Sequence, residues 1–553
     1  MRGNKGLHSH RAASCFGAAL LLGITFFTHM AYAAPPQWKY LFPAGAQVGT
    51  TVELEARGKF EQWPLAVWAD RPGVTISAKE DKGKFVATVA GNALPGVHWL
   101  RFYDAEGATP LVPFVVGYLR EACEQEPNDA PTRPQDVGPP QVVVNGRLQK
   151  RGDVDTFAVH LEKGQTLVAE IDAHRTLASP VDTVLEMVST TGGFVLARND
   201  DDQELDSRLV FAVPRSGSYM VRVFGFPAAP NSTIALAGDD SYAYRLTLTS
   251  AGFLNYSLPL AVSADTAHVQ AHGWNLLPET QQVAPAILPN AKEAALFHPQ
   301  LANTLLIPVV QHASILADEP SRPEIPQNIT LPVTITGRIE FPRDKDSFRF
   351  SAKTGETLNF RVESRQLGYP LDPVLEIRDS QGKLLSRVDD VGAGRDAEIT
   401  FAAPADGEYQ IVVSDLHRHG APNFVYRLSA LAARPDYALS LGGDTFSVAV
   451  GQRLELPITI ERLQGYKEPI NLRVEGLPGG VTVEPAVSLG EGDSAKTVKL
   501  VITTGDAAFS GPIRVIGTTA GATLEPHTAT APLIGRGQRT PDAWLTITAA
   551  ASK

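Results

Sequence analysis

Alternating apolar and polar positions predict β-strands along most of this 553-residue chain. Residues 157–161 and 167–171 each place apolar side chains at every second position, and Lys163-Gly164 predicts a turn between them. Residues 219–223 and 409–413 have the same pattern, each two positions after a glycine. Because the predicted strands are short and few helices intervene, the pattern predicts an all-β fold of tandem antiparallel β-sandwiches, of jelly-roll or immunoglobulin-like type.

Part of the chain is repeated. The segment 145–157 reappears at 336–348 with an offset of 191 positions, and the correspondence continues at 191 or 190 as far as Tyr219 and Tyr409. A weaker match precedes each copy, where 42–60 parallels 258–276 at offsets of 216 and 215. Since a fixed offset over this length marks a repeated structural unit, the sequence predicts the duplication of a pair of domains, small then large.

These repeats define the predicted domain boundaries. At about 100–150 residues per domain, the length allows four or five domains. The predicted segments are a signal peptide at 1–33, a small immunoglobulin-like β-sandwich at 34–118, a first large β-sandwich at 119–250, a small β domain at 251–317 that copies 34–118, a second large β-sandwich at 318–432 and a C-terminal immunoglobulin-like β-sandwich at 433–553.

The beginning of the chain has the features of a secretory signal peptide. Basic residues precede a short apolar run at 16–27, and Ala31-Tyr32-Ala33 is a small-x-small cleavage motif. That run is shorter than the roughly 20 residues of a membrane-spanning helix, and we expect no membrane span after cleavage. We therefore expect an exported protein, in the periplasm, at the cell surface or in the medium. Cys123 is then the only cysteine, so no intramolecular disulfide is expected.

The net charge and the motifs of the sequence limit the functions that are expected of the chain. Without the signal peptide, 46 Lys and Arg stand against 60 Asp and Glu, a net charge of −14. Nucleic-acid binding needs basic surface to neutralise phosphates, so no nucleic-acid partner is expected. The sequence contains no Gly-x-Ser-x-Gly, His-Glu-x-x-His, Cys-x-x-Cys or phosphate-binding glycine loop. We predict a non-enzymatic protein with no catalytic residues, although a triad built from distant loops stays an alternative.

Several motifs resemble the bacterial pre-peptidase C-terminal domain. They are Glu-Gln-Glu-Pro-Asn-Asp at 124–129, Gly-Asp-Val-Asp-Thr-Phe at 152–157, and the segments 196–201 and 217–221. This family is a β-sandwich appended to secreted peptidases and other exported proteins, and it includes the collagen-binding domains of clostridial collagenases. The resemblance covers about 124–250 and, more loosely, 318–430. The whole organisation also resembles multidomain exported proteins of planctomycete-type bacteria that contain immunoglobulin-like modules.

The resemblance implies a Ca²⁺ site at the start of the first large domain. Collagen-binding members of the family bind calcium through a Glu-x-Glu-x-Asn-Asp pattern and aspartates near the first strand. The matching residues are Glu124, Glu126, Asn128, Asp129, Asp153 and Asp155. Ca²⁺ takes about 6–8 oxygen ligands at roughly 2.3–2.6 Å, which such side chains supply. The alternative is a solvated acidic linker followed by aspartates that cap a strand.

The second copy is an internal comparison for this site. Alignment of Pro320 with Pro127 places at the four linker positions, in order, Ala317, Glu319, Ser321 and Arg322. Two carboxylates are lost and a guanidinium takes one of their places, so we predict an empty or much weaker second site. Asp344 and Asp346 persist at the positions of Asp153 and Asp155, which leaves open a structural role for these aspartates.

A second acidic run, at 199–206, lacks the glycine and the final glutamate of an EF-hand loop. We interpret it as a turn between strands, with a cation site as the alternative.

Two hypotheses for the whole chain follow. The first is a string of β-sandwich modules that binds an extracellular protein or polysaccharide. The second is an accessory or targeting subunit of a secreted peptidase or other hydrolase.

Overall fold

The computed structural model describes residues 34–229, 235–287, 292–319, 325–392, 396–519, 524–533 and 539–549. The predicted signal peptide lies outside these residues. Residues 34–553 form one compact unit. In the described part of this unit almost every element is a strand, which confirms the predicted all-β class. The short helical elements there are α1 (His174–Leu177) and single 3₁₀ turns at Pro278–Thr280, Arg365–Leu367 and Asp493–Ala495. None of the helices described is long and apolar enough to cross a membrane.

The first small sandwich consists of eight strands. They are β1 (Gln37–Phe42), β2 (Gly45–Gln47), β3 (Thr51–Lys59), β4 (Ala66–Ala69), β5 (Val74–Ala78), β6 (Lys84–Val89), β7 (Gly96–Tyr103) and β8 (Val112–Gly117). One sheet has the order β1-β3-β6-β5 and the other β2-β8-β7-β4. Phe85, Phe102 and Phe114 are fully buried in its core, and Trp38 and Trp63 pack against them partly buried.

The first large sandwich consists of ten strands. They are β9 (Arg120–Cys123), β10 (Gln135–Asp136), β11 (Gln141–Arg147), β12 (Asp155–Leu161), β13 (Thr166–Asp172), β14 (Val181–Ser189), β15 (Val195–Asn199), β16 (Arg208–Ala212), β17 (Gly217–Pro227) and β18 (Ala243–Thr249). The sheets have the orders β10-β12-β17-β14-β15 and β16-β13-β18-β11-β9. Phe157 and Tyr219 are buried between the sheets, as their alternating positions predict.

The second small sandwich has two three-stranded sheets. Its strands are β19 (Phe253–Leu258), β20 (Val269–Trp274), β21 (Gln282–Val283), β22 (Ala286–Ile287), β23 (Glu293–Leu296) and β24 (Leu305–Pro308). Its buried cluster is small and aliphatic, with Leu254, Val262 and Leu296 at its centre.

The second large sandwich again has ten strands. They are β25 (Ala313–Leu316), β26 (Gln327–Asn328), β27 (Val333–Arg338), β28 (Lys345–Ala352), β29 (Thr357–Glu363), β30 (Pro373–Asp379), β31 (Leu384–Val388), β32 (Glu398–Ala402), β33 (Gly407–Asp415) and β34 (Val425–Ala432). The strand orders β26-β28-β33-β30-β31 and β25-β27-β34-β29-β32 place each strand where its counterpart lies in the first large sandwich. Phe348 and Tyr409 occupy the core positions of Phe157 and Tyr219.

The last sandwich has no sequence repeat elsewhere in the chain. Its strands are β35 (Asp436–Leu441), β36 (Thr445–Ala449), β37 (Arg453–Leu463), β38 (Ile470–Glu475), β39 (Thr482–Val483), β40 (Ala486–Ser488), β41 (Thr497–Thr503), β42 (Phe509–Thr519), β43 (His527–Thr528), β44 (Ala531–Pro532), β45 (Arg539–Thr540) and β46 (Ala543–Thr548). The two main sheets have the orders β35-β37-β41-β39 and β36-β46-β42-β38-β40.

Each small sandwich is joined to the large one that follows it by an equivalent hydrogen bond. The Ala44 N–H donates to Asn145 Oδ1 at 3.2 Å, and at the corresponding place the Leu260 N–H donates to Thr336 Oγ1 at 2.8 Å. Beside the first contact, the Arg147 guanidinium lies 5.0 Å from the centre of the Tyr40 ring and donates to its hydroxyl at 2.7 Å. The interface within the small–large pair is thus similar in both halves.

The first and last sandwiches contact each other, so the modules do not form an extended string. The Arg101 side chain on β7, 1% exposed, donates to Asp444 Oδ2 of the last sandwich at 3.0 Å. The Trp544 ring on β46 lies 4.8 Å from Tyr103 and 5.9 Å from Trp68. Strand alternation identifies the face that a side chain occupies, but it does not distinguish solvent from another domain beyond that face.

Candidate metal centre

Three of the six predicted ligands lie close together at one end of the first large sandwich. The linker after β9 carries Glu126 and Asp129, and the turn between β11 and β12 carries Asp153. One carboxylate oxygen from each of these residues lies within 4.8 Å of the other two. Across the described part of the chain, no other three His, Cys, Asp or Glu side chains form such a group.

Local hydrogen bonds hold the linker and the turn in place. The Thr156 N–H donates to Asn128 O at 3.1 Å, which fastens the linker to the start of β12. In the turn, the Asp153 N–H donates to Lys150 O at 3.0 Å, and Asp153 Oδ2 accepts the Gln149 N–H at 2.5 Å. Gly152 has a φ of +86°, a backbone conformation that glycine adopts without the steric cost of a side chain.

Several buried polar atoms of this cluster have no hydrogen-bond partner. They are Asp129 Oδ1, Asp153 Oδ1 and both side-chain polar atoms of Asn128. Asp153 is fully buried and Asn128 is 1% exposed. Buried polar atoms almost always have partners, because an unpaired one costs roughly 1–3 kcal/mol. Oxygens from one amide and three carboxylates are the ligand type that Ca²⁺ prefers, so these residues fit the metal that the resemblance implies.

Lys150 lies beside the cluster and was not among the predicted site residues. Its Nζ lies 2.8 Å from Asp129 Oδ2 and 3.5 Å from Asp153 Oδ1, as an internal cation beside the cluster. The hydrogen bond from Lys150 lowers the pKa of Asp129, and the same bond raises the pKa of Lys150 to about 12. The sequence spacing could have indicated this contact, because a tight turn brings residue 150 next to residue 153.

Glu124 and Asp155 accept hydrogen bonds from the protein instead of joining this group of three. Glu124 Oε2 accepts the Arg147 N–H at 2.7 Å and Oε1 accepts from Gln149 Nε2 at 3.0 Å. Burial raises the pKa of Glu124 to about 7. Asp155 Oδ2 accepts the Tyr244 hydroxyl at 2.6 Å, and burial followed by the charge of Glu124 raises the pKa of Asp155 well above its usual range.

The second copy retains the structural part of this arrangement. Asp346 Oδ2 accepts the Tyr426 hydroxyl at 2.5 Å, which matches the bond between Asp155 and Tyr244. Asp344 Oδ2 accepts the Glu340 N–H at 3.0 Å, as Asp153 accepts from the first turn. The second-copy linker positions Ser321 and Arg322 lie outside the described residues. The recurrence of both aspartates therefore has a structural basis that does not involve a metal.

The acidic run at 199–206 forms a turn, and its recurring aspartate anchors a neighbouring loop. Asp206 is fully buried and accepts the backbone N–H groups of Ala173, His174 and Arg175 at 3.2, 2.7 and 3.0 Å. Burial raises the pKa of Asp206 to about 6. Asp396 binds three successive N–H groups in the same way in the second large sandwich.

Comparison with known proteins identifies one segment of the chain. Residues 344–415 match the family model of the bacterial pre-peptidase C-terminal domain. A 74-residue segment is 45% identical to a probable subtilase-type serine protease of Deinococcus radiodurans, and this match covers 13% of the chain and 10% of that protein. The chain thus spans about a tenth of the length of this curated relative.

Two solved structures are among those similar to the chain. The pre-peptidase C-terminal domain of a Bacillus anthracis collagenase is 19% identical, with 20% of this chain and 98% of that chain covered and a TM-score of 0.17. The Bacteroides ovatus protein SGBP-B of a mixed-linkage glucan utilization locus, solved with a mixed-linkage heptasaccharide, is 12% identical, with coverages of 69% and 75% and a TM-score of 0.15.

The family match lies in the second large sandwich, and the resemblance of the first large sandwich to the same family stays a prediction. The match begins at Asp344, the counterpart of Asp153. It therefore does not include the linker before this position, whose counterpart in the first large sandwich carries the acidic motif at 124–129. The linker of the second large sandwich carries fewer acidic residues than that of the first. Residues 344–415, within the second ten-stranded sandwich, are thus similar to the bacterial pre-peptidase C-terminal domain.

Proposed function

We propose that this chain is a non-catalytic, exported binding or scaffolding protein whose first large sandwich is stabilised by one Ca²⁺. Its partner is an extracellular protein or a polysaccharide of the cell envelope. The observation that carries the proposal is the cluster of Glu126, Asp129 and Asp153, whose carboxylates approach within 4.8 Å while buried oxygens of Asp129, Asp153 and the adjacent Asn128 have no hydrogen-bond partner.

The ligands come from two separate parts of the chain. Glu126, Asn128 and Asp129 belong to the linker and Asp153 to the turn before β12. A bound Ca²⁺ supplies positive charge that offsets the repulsion among the three carboxylates. The Lys150 ammonium lies beside the same oxygens, so it competes with the metal for Asp129 and Asp153. Lys150 therefore lowers the affinity of the site.

The site is also close to the contact between the first two sandwiches. Glu124 in the linker accepts the N–H of Arg147, and the Arg147 side chain contacts Tyr40 of the first small sandwich. Fixing the linker therefore helps to fix Arg147 at the domain interface. This supports a role for the cation in holding a binding surface that spans several domains.

The second candidate function is that of an accessory or targeting subunit of a secreted hydrolase. The identity of 45% over 74 residues to a probable subtilase-type serine protease favours it. In this case the chain binds an exported peptidase and not the cell envelope. Both functions require a folded, non-catalytic chain, so they differ only in the partner.

Sedimentation with cell-envelope material tests the proposal. The purified chain is mixed with the insoluble envelope fraction of the producing bacterium in millimolar Ca²⁺, and the same samples are assayed on casein and on soluble glycans. We expect most of the chain to sediment and the assays to match the buffer blank. Hydrolysis of either substrate would contradict the proposal. A chain that stays in the supernatant but co-elutes with a secreted peptidase would support the second candidate instead.

A further inference from the structure

A cavity of about 320 Å³ lies where the first four sandwiches meet. The apolar part of its lining comes mainly from the two small sandwiches, including Val97, Val115 and Leu305. The charged part comes from the first large sandwich, including Glu170 and Arg208. Pockets at domain junctions that combine apolar walls with a few polar groups are typical of ligand-binding sites.

The charged wall retains hydrogen-bonding capacity. Glu170 on β13 lies opposite Arg208 on β16, and the nearest approach of the two side chains, Oε1 to Nη1, is 3.7 Å. Arg175 Nη1 donates to Gln203 Oε1 at 2.9 Å, whereas its Nη2 lies 3.4 Å from Asp172 Oδ1. The separations of 3.7 and 3.4 Å exceed the usual 2.7–3.2 Å of an N–H···O hydrogen bond, so Glu170, Arg208 Nη1 and Arg175 Nη2 can still bind a ligand. Glu170 is 8% exposed, and burial raises its pKa to about 7.

The balance of charge in this wall favours an uncharged ligand. Arg208 also binds Asp202 at 2.7 Å, and Arg245 binds Glu121 at 2.8 Å, so each guanidinium at the cavity has a carboxylate nearby. A charged ligand would bring an uncompensated charge into a largely buried site, which is costly. An uncharged ligand with many hydroxyl groups can instead donate to the carboxylates and accept from the guanidinium groups.

Aromatic side chains complete the lining. Trp99, Tyr118 and Tyr369 each combine a flat apolar ring with a polar group and come from three different segments of the chain. A sugar ring has the matching character, with an apolar C–H face and a rim of hydroxyls. We propose that this cavity binds a neutral saccharide unit, with its ring against the aromatic residues and its hydroxyls on Glu170, Arg208 and Arg175.

The second large sandwich provides a matched comparison. The cross-strand pair at the positions of Glu170 and Arg208 is Arg361 and Glu398, with the two charges exchanged. Neither of these residues lines the cavity, and the Arg361 side chain is 42% exposed. Glu398 therefore serves as a control for the substitution of a strand glutamate outside the cavity.

Titration calorimetry of the full chain with uncharged sugars tests this inference, which names a ligand class for the proposed binding function. The probes are glucose, galactose, mannose, N-acetylglucosamine, cellobiose and chitobiose, with inorganic phosphate as a charged comparison. We expect at least one sugar to bind and phosphate not to bind. Glu170→Gln should lower the affinity about tenfold or more, because it removes a charge-assisted hydrogen bond, whereas Glu398→Gln should not change it.

Absence of heat with every sugar, or an affinity that Glu170→Gln leaves unchanged, would overturn the inference. Phosphate binding that depends on Glu170 or Arg208 would also overturn it, in favour of an anion site. Equal melting temperatures of Glu170→Gln and the unchanged chain establish that the variant is folded. Envelope sedimentation that survives Glu170→Gln, without any sugar binding, would overturn the saccharide cavity and leave the broader binding function intact.

Discussion

Replacing Arg101 with leucine is expected to lower the free energy of unfolding by about 3–5 kcal/mol. The Arg101 side chain is 1% exposed, and its guanidinium donates to Asp444 Oδ2 at 3.0 Å, to Thr109 O at 2.9 Å and to Asp542 O at 3.2 Å. Leucine leaves the Asp444 carboxylate buried without its counter-ion, and it removes the contact between the guanidinium and the Trp544 ring. Urea denaturation followed by tryptophan fluorescence measures the change.

The double variant Arg101→Leu/Asp444→Leu distinguishes a lost ion pair from general disruption of the interface. It removes the unpaired carboxylate, so we expect it to be more stable than Arg101→Leu alone. The single variant should also expose the contact between the first and last sandwiches to proteolysis before the remaining chain unfolds. A loss below about 1 kcal/mol for Arg101→Leu would show that this contact does not stabilise the folded chain.

Calcium is expected to stabilise the chain by about 2.7 kcal/mol when its concentration is one hundred times the dissociation constant. Glu126→Ala and Asp129→Ala should abolish this increase, because each removes one of the three clustered carboxylates. Lys150→Met should shift the response to lower calcium concentrations, because it removes the competing ammonium group.

Thermal denaturation in EDTA and in a series of Ca²⁺ concentrations measures this response, with Glu319→Ala as the matched control. Glu319 occupies the position of Glu126 in the second copy, where we predict no strong site, so its variant should respond to calcium like the unchanged chain. Identical melting curves in EDTA and in millimolar calcium would contradict the proposed site, because a calcium ion bound to the folded chain must raise the melting temperature. A loss of the calcium response in Glu319→Ala would contradict this account, because it would show that the metal binds in the second large sandwich and not in the first.

The alternation of side chains predicted the strands well because one face of each strand is buried between two sheets. Phe157 and Phe348 are fully buried at equivalent positions, as the repeat required. The contact between Arg101 and Asp444 was not predictable in the same way, since the two residues are 343 positions apart and no repeat relates them. The cavity at the junction of the sandwiches was not predictable either, because it depends on how the domains pack and not on any motif.

The proximity of three predicted ligands follows in part from the sequence, and the metal itself stays a prediction. Glu126, Asp129 and Asp153 lie together because the linker and the turn meet at the start of β12. Asp155 is one of the predicted ligands, but its partner Tyr244 lies 89 positions away. The joint recurrence of this aspartate and tyrosine as Asp346 and Tyr426 was the available signal that they form a structural pair. The number of acidic residues alone does not distinguish a structural aspartate–tyrosine pair from a set of metal ligands.

Equilibrium dialysis of the full chain against calcium, with the bound metal counted, tests the central claim most directly. The account predicts one Ca²⁺ per chain, and none in the variant Asp129→Ala/Asp153→Asn. A chain that binds no calcium at millimolar concentration would contradict the proposed metal centre. Two bound ions per chain, one of them retained in that variant, would contradict the difference between the two large sandwiches on which the assignment depends.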